Sequence, residues 1–256
     1  MITTSTTRSA RATLPLTIDP EHARQLVALD GTGPWPHRAA AELAREGTIV
    51  VVTLGASSNP SLDTRELDGQ AGRIILDAPW SNSPALEPTR EALQSLGESH
   101  LDVQIRIPAE DPMTVRLWGA LLTLDALEPL TELRLDAAGE HNLLARATNA
   151  AGREIALTVV RSAGSSPQMR LRALSETGRV ELILPDERIA RPARLIVDRG
   201  AVRTDEELPW ETPSRTAWRR ARALLDADHP AAADLDRLRH LQNLFQRWNS
   251  PSEPRA

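Results

Sequence analysis

The sequence predicts a fold in two parts, α/β and then α+β. A truncated Rossmann-like parallel sheet is followed by an open, predominantly antiparallel sheet with flanking helices. Three observations carry this. "GTIVVVTLG" contains a continuous β-branched run, Ile49–Val52, typical of a parallel strand buried on both faces. Strand-like and helix-like stretches alternate through residues 14–107, as in βαβ units. After them come six strand-like runs joined by short turns. Several of these runs alternate apolar residues with Arg or Glu, the pattern of an antiparallel sheet with one solvated face.

The elements follow in chain order. Residues 1–13 form a Ser-, Thr- and Arg-rich tail. "LPLTID" reads as a short strand ending at Asp19. "PEHARQLVAL" reads as a helix, with Pro20 at its N-terminus and Ala23, Leu26 and Val27 on one face. "DGTGPWP" is a turn cluster and "PHRAAAELARE" a second helix. The strand Ile49–Val52 runs into the loop "ASSNP". "SLDTRELDGQA" reads as a short helix capped by Ser61. "GRIILDAPW" is a strand stopped by Pro79, which has no N–H for a ladder. "EPTREALQSLGE" is a helix and "LDVQIRI" the last strand of a first domain, residues 14–108.

A second domain, residues 109–250, opens with "DPMTVRLWGALLTLDAL" as an amphipathic helix. The six strands are "TELRLD", "HNLLARAT", "REIALTVV", "QMRLRAL", "RVELIL" and "RLIVDR". Two helices close the domain, with Trp218, Ala221 and Leu225 on one stripe and Leu235, Leu238, Leu241, Phe245 and Trp248 on the other. Residues 251–256 are a tail. Arg170 and Arg172 are placed on the solvated face, with Arg146 and Arg153 beside them.

Composition narrows the chemistry. The net charge of −5 argues against a nucleic-acid surface. No apolar run approaches the ~18 residues of a membrane span, and the polar start lacks the apolar core of a secretion signal, so a cytoplasmic protein is expected. There is no Cys and no Tyr, and all 30 basic residues are Arg. The chain therefore has no thiol nucleophile, no phenolic acid and no lysine for a Schiff base. The six histidines are scattered without metal-ligand spacing, so no metal site is expected. No nucleophile elbow of the Gly-x-Ser-x-Gly type is present.

Three stretches together resemble the glucose–fructose oxidoreductase/inositol dehydrogenase (Gfo/Idh/MocA) family of NAD(P)-dependent enzymes. "LTIDPEHARQLVAL" resembles the family's second strand and the acid that binds the adenosine ribose, here Asp19. "TIVVVTLGASSNP" resembles the fourth strand and the loop that passes the nicotinamide. "GRIILDAPW" resembles the fifth strand and its Glu-Lys-Pro signature. The resemblance implies a two-domain oxidoreductase fold. It also implies a homodimer, or pairing with a related oxidoreductase subunit, through the open face of the antiparallel sheet.

The departures are as informative. The chain begins at what resembles the second strand, without a preceding strand and Gly-x-Gly-x-x-Gly loop; a first strand encoded upstream of Met1 is the other explanation. Gly31 and Gly33 read as a plain turn, since they follow a predicted helix and precede a proline. The signature Lys, which contacts the reacting group in the family, is Ala78. Losing an acid/base group costs ~10²- to 10⁴-fold in rate. The helix that carries the family's substrate-side His has Asp111, Arg116 and Trp118 but no His.

The expectation is thus a binding or accessory subunit of the oxidoreductase type that has lost hydride transfer, in a biosynthetic setting and without a cofactor. A functional reductase of a carbonyl or imine, with atypical NAD(P) contacts, is the alternative. A cofactor-free cyclase or isomerase reusing the cleft is a third reading. Asp77, at a strand's C-terminal end, is the candidate catalytic residue, and Asp19 the candidate cofactor contact. Ser57, Ser58, Asn59, Trp80, Arg116 and Trp118 are candidate cleft residues for a small-molecule ligand, with packing as the competing role for both tryptophans.

Overall fold

The computed structural model describes residues 25–54, 62–111, 113–189, 191–208, 211–225 and 231–249. A small parallel sheet is built from β1 (Leu26–Asp30), β2 (Ile49–Thr53) and β3 (Ile74–Asp77), in that spatial order. Helix α1 (Trp35–Leu43) connects β1 to β2. All three strands are buried on both faces, which explains their unbroken apolar runs. One face (Val27, Leu29, Val50, Val52) packs with Trp35, Ala39 and Leu43 of α1. The other (Leu26, Ala28, Val51, Ile75) packs with Ala217, Trp218 and Ala221 of α4 (Pro213–Ala223).

β1 corrects the reading of this region. "LVALD" is a strand, not the end of a helix, and Leu26 and Val27 point to opposite faces of the sheet. A four-residue apolar run fits either period, and burial between two helices decides for the strand. The proposed strand at residues 14–19 lies outside the described residues. So does Ser61, and the helix it was to cap is instead two 3₁₀ turns, Arg65–Leu67 and Ala71–Arg73.

The second sheet has eight strands in the order β11-β10-β9-β8-β4-β7-β6-β5. They are β4 (His100–Ile107), β5 (Leu130–Ala138), β6 (Asn142–Asn149), β7 (Glu154–Arg161), β8 (Gln168–Ser175), β9 (Gly178–Leu184), β10 (Arg194–Arg199) and β11 (Val202–Glu207). All pairs are antiparallel except β4–β7.

β4 belongs here and not to the parallel sheet. Its alternating burial, unlike the continuous burial of β1 to β3, is that of a strand with one covered face. Helices α2 (Leu86–Leu96), α3 (Met113–Leu127) and α5 (Asp234–Asn249) cover the inner face. α3 is buried on nearly every side from Arg116 to Asp125, so it is a core helix and not an amphipathic one.

β3 is an edge strand, and side chains close its edge. The Leu76 N–H donates to Asp234 Oδ2 at 3.0 Å, and the Leu76 carbonyl accepts from Asn82 Nδ2 at 2.7 Å. Arg220 of α4 bridges Asp234 and Asn82. This satisfies the free ladder groups of Leu76 and locks the strand's end against α4 and α5.

The solvated face of the large sheet is more paired than alternation alone implies. Glu181 is buried on it between Arg170 and Arg172, and both arginines pair with it. Arg153 instead turns inward, where it meets Glu128 at 2.5 Å and donates to the Gly97 carbonyl at 2.8 Å. Among the described residues, no helix is long and apolar enough to cross a membrane.

Candidate functional site

The C-terminal ends of the parallel strands set the site, because ligands of open α/β sheets bind outside those ends. Asp30, Thr53 and Asp77 lie in one row there: Asp30 pairs with Thr53, and Thr53 with Asp77. Asp77 is buried. Its carboxylate accepts from Ser214 Oγ at 2.7 Å and from Thr53 Oγ1 at 3.5 Å. Ser214 is placed by the start of α4, where Thr212 caps the helix by accepting from the Arg215 N–H. Burial pushes the Asp77 carboxyl up to about 6; the Ser214 and Thr53 hydroxyls oppose the rise, and the charge of Glu187 adds to it.

Beyond Asp77 the chain turns sharply. Ala78 is 2% exposed, so the position that resembles the family's lysine is sealed from solvent. Trp80 has φ +65°, a left-handed conformation costly for a non-glycine residue. Its indole is fully buried, and Nε1 donates to the Pro185 carbonyl at 2.8 Å. The Arg116 guanidinium lies 5.3 Å from the Trp80 ring centre, a cation–π contact.

Gly119 of α3 is what lets the turn approach. A Cβ there would stand 2.6 Å from the Pro79 carbonyl oxygen, which is backbone and cannot swing aside. Gly119→Ala is therefore expected to destabilise the protein by about 1–3 kcal/mol. Urea unfolding checks this: an unchanged midpoint would show that α3 shifts freely away from Pro79.

Arg116, itself buried, holds two carboxylates. Its Nε and Nη2 donate to Asp111 Oδ2 at 3.1 and 2.9 Å, and Nη1 donates to both oxygens of Glu187 at 2.7 Å. A cleft of about 30 Å³ beside them is lined by Trp80, Pro185, Glu187, Ile189 and Thr212. Trp118 is set apart from this group: it is buried in the core with its ring centre 5.6 Å from that of Phe245. Asp19, Ser57, Ser58 and Asn59 lie outside the described residues.

The structure thus brings Asp77, Trp80 and Arg116 together and adds Ser214, Thr53 and Glu187. "TPS" at Thr212–Ser214 signals a helix start, but nothing in sequence ties it to Asp77, 137 residues away.

The loop after β1 changes meaning. Gly31-Thr32-Gly33 follows a strand and opens a helix, and β1 lies beside the strand that resembles the family's fourth. In doubly wound dinucleotide folds that place belongs to the first strand and its phosphate loop. The context is right, and the donors are not. Pro34 and Pro36 have no N–H. The N–H groups of Gly31, Thr32 and Trp35 are spent on the Thr53 carbonyl, the Asp30 carboxylate and the Gly33 carbonyl. Arg38 turns back onto the carbonyls of Asp30 and Thr32, both at 2.6 Å. A pyrophosphate cradle uses N–H groups aimed outward, and three of this loop's N–H groups are turned inward. With Pro34 and Pro36 and three inward N–H groups, the loop offers fewer donors than a pyrophosphate cradle uses.

No protein-family model matches the sequence, and no curated protein matches it. Solved structures do match in fold, and these neighbours are Gfo/Idh/MocA-type oxidoreductases. An oxidoreductase from Thermotoga maritima aligns with a TM-score of 0.63 at 12% identity, over 88% of this chain and 76% of that one. A dehydrogenase from Clostridium difficile gives 0.59 at 11%, over 88% and 79%. The 3-ketoreductase KijD10 from Actinomadura kijaniata, in complex with NADP, gives 0.59 at 17%, over 88% and 78%. At these identities the likeness establishes a Rossmann-like oxidoreductase fold.

Proposed function

We propose that this chain is a ligand-binding or accessory protein of the oxidoreductase fold that does not transfer hydride. The observation that carries the reading is Ala78, buried where the resembling family places its acid/base lysine. The loop after β1 supports it, because its prolines and inward N–H groups leave a dinucleotide phosphate few donors. Assembly is part of the proposal: Leu144 and Val160 stand exposed on the open face of the large sheet, where a second copy or a related subunit would cover them.

A functional NAD(P)-dependent reductase of a carbonyl or imine is the second reading. It is favoured by the strand–Gly-x-Gly–helix order of β1 and α1, and by the NADP complex of KijD10. Cofactor-free proton-transfer chemistry is a third, favoured by the raised Asp77 carboxyl. Titration with NADPH and NADH separates the first reading from the second: no binding up to millimolar cofactor is expected, and micromolar binding would overturn the proposal.

A further inference from the structure

We infer that Arg116 is the anchor of a binding site for small carboxylates, and that Glu187 occupies this site in cis until a ligand's carboxylate displaces it. The inference rests on the reading that this chain binds a ligand, places it in the cleft beside Glu187, and names its class.

The two carboxylates on Arg116 are not equivalent. Asp111 sits just before α3, the helix that carries Arg116, and grips the Nε–Nη2 edge of the guanidinium. Glu187 arrives from the surface turn between β9 and β10 and takes only Nη1, with both oxygens at 2.7 Å. The Glu187 side chain is 21% exposed, against 6% for Arg116, so solvent reaches the pair from the Glu187 side. A guanidinium held from behind by one acid and from the front by a removable one is arranged to exchange the front partner.

The surroundings favour an anion at Nη1 over empty space. The cation is desolvated against the Trp80 ring, and a buried charge left without its partner is costly. The remaining charges nearby are Arg188, which pairs with Asp186 at 2.9 Å and reaches Asp111 at 3.8 Å, Arg161, which donates to the Asp111 carbonyl at 3.3 Å, Arg191 and Glu211, which line the cleft, and Asp77. Both oxygens of Glu187 already occupy Nη1, and Asp111 occupies Nε and Nη2. A ligand's carboxylate therefore enters by replacing Glu187, not by joining it. The tethered carboxylate acts as a competitor at high effective concentration, which lowers the apparent affinity of any free carboxylate by the fraction of protein in which Arg116 is open.

The turn also carries a reporter. The Trp80 indole N–H donates to Pro185, two residues before Glu187. Displacing Glu187 disturbs that hydrogen bond and moves the Trp80 indole resonance, whereas Trp218, in the other core, stays still.

Propionate is the probe, titrated against the full chain and followed by the nitrogen–proton resonances of the indoles, with Trp80→Phe supplying the assignment. A saturable shift of Trp80, with Trp218 unmoved, is expected. Its midpoint should fall about tenfold or more in Glu187→Ala, which frees Arg116 while Asp111 still neutralises it. Glu187→Gln should lie between the two. Arg116→Lys, which keeps the charge and loses the fork, should weaken binding in the Glu187→Ala background.

Absence of a saturable Trp80 shift in Glu187→Ala at about 100 mM propionate would overturn the inference, as would equal midpoints with and without Glu187. Failure here leaves the cofactor titration untouched, and NADPH binding without a propionate response would reject only the carboxylate site.

Discussion

Trp80→Ala is expected to cost about 3–5 kcal/mol of stability, the largest loss from any single substitution near the site. Three terms act together. The indole is fully buried, and its removal leaves a cavity between the end of β3 and the turn after β9. The Pro185 carbonyl loses its donor at 2.8 Å. Arg116 loses the ring it lies over. Against a typical total of 5–15 kcal/mol, this is a large fraction of the whole.

Two further variants separate the terms. Trp80→Phe keeps most of the packing and loses the hydrogen bond, so it should cost about 1–2 kcal/mol. Trp80→Gly relieves the left-handed backbone at φ +65°, so it should be no worse than Trp80→Ala, against the usual order for glycine and alanine. Chemical unfolding of the three variants checks the scheme. A loss below about 1 kcal/mol for Trp80→Ala would show that the turn does not depend on the indole.

Asp77→Asn is expected to do the opposite and stabilise the protein, but only above a certain pH. The folded carboxyl is raised to about 6, against an ordinary value near 3.8. Between those values the folded state holds a proton that the unfolded state has released, so stability falls as pH rises through the window. Above about pH 6 the penalty is complete and stays constant, on the order of 2–3 kcal/mol. An amide has no charge to desolvate and can still accept from Ser214, so the variant should be more stable than the parent at pH 8 and similar to it at pH 4. Thermal unfolding across pH 4–8 measures this. A variant less stable than the parent at every pH would mean that the carboxylate is held by partners stronger than Ser214 and Thr53. A buried acid that costs stability at neutral pH is the kind of residue that function, and not folding, keeps.

The parts of the fold that were legible in sequence are those where burial imposes a single pattern. Ile49–Val52 and Ile74–Leu76 lie between layers of helix and read as unbroken runs. β6, β7 and β8 alternate because one face of their sheet is wet. β4 alternates too, and that signal assigns it to the large sheet; its position after a helix in an αβ series masked it.

β11, "VRTDEE", was invisible because it is an edge strand, held by cross-strand ion pairs such as Arg194–Asp205, and its composition is that of a loop. β1 reads as a helix in sequence because its four apolar residues fit both periods. With it went the true place of Gly31 and Gly33, directly after a strand. At the site, Asp77, Trp80 and Arg116 were legible from the "DAPW" stop and the first turns of α3. Ser214 and Glu187 were not, since their relation to Asp77 and Arg116 exists only once α4 and the large sheet have packed.

In the proposed reading, the chain keeps the strand order of a dinucleotide-binding sheet and does not bind the dinucleotide. Calorimetric titration of the full chain with NADPH and then NADH, with tryptophan fluorescence followed in parallel, tests it most directly. No saturable heat and no quenching are expected up to millimolar cofactor, because the N–H groups of Gly31, Thr32 and Trp35 in the loop between β1 and α1 turn inward. Saturable binding at micromolar concentration would contradict it, show that the Gly31–Pro36 loop reopens around a phosphate, and make the chain a candidate reductase.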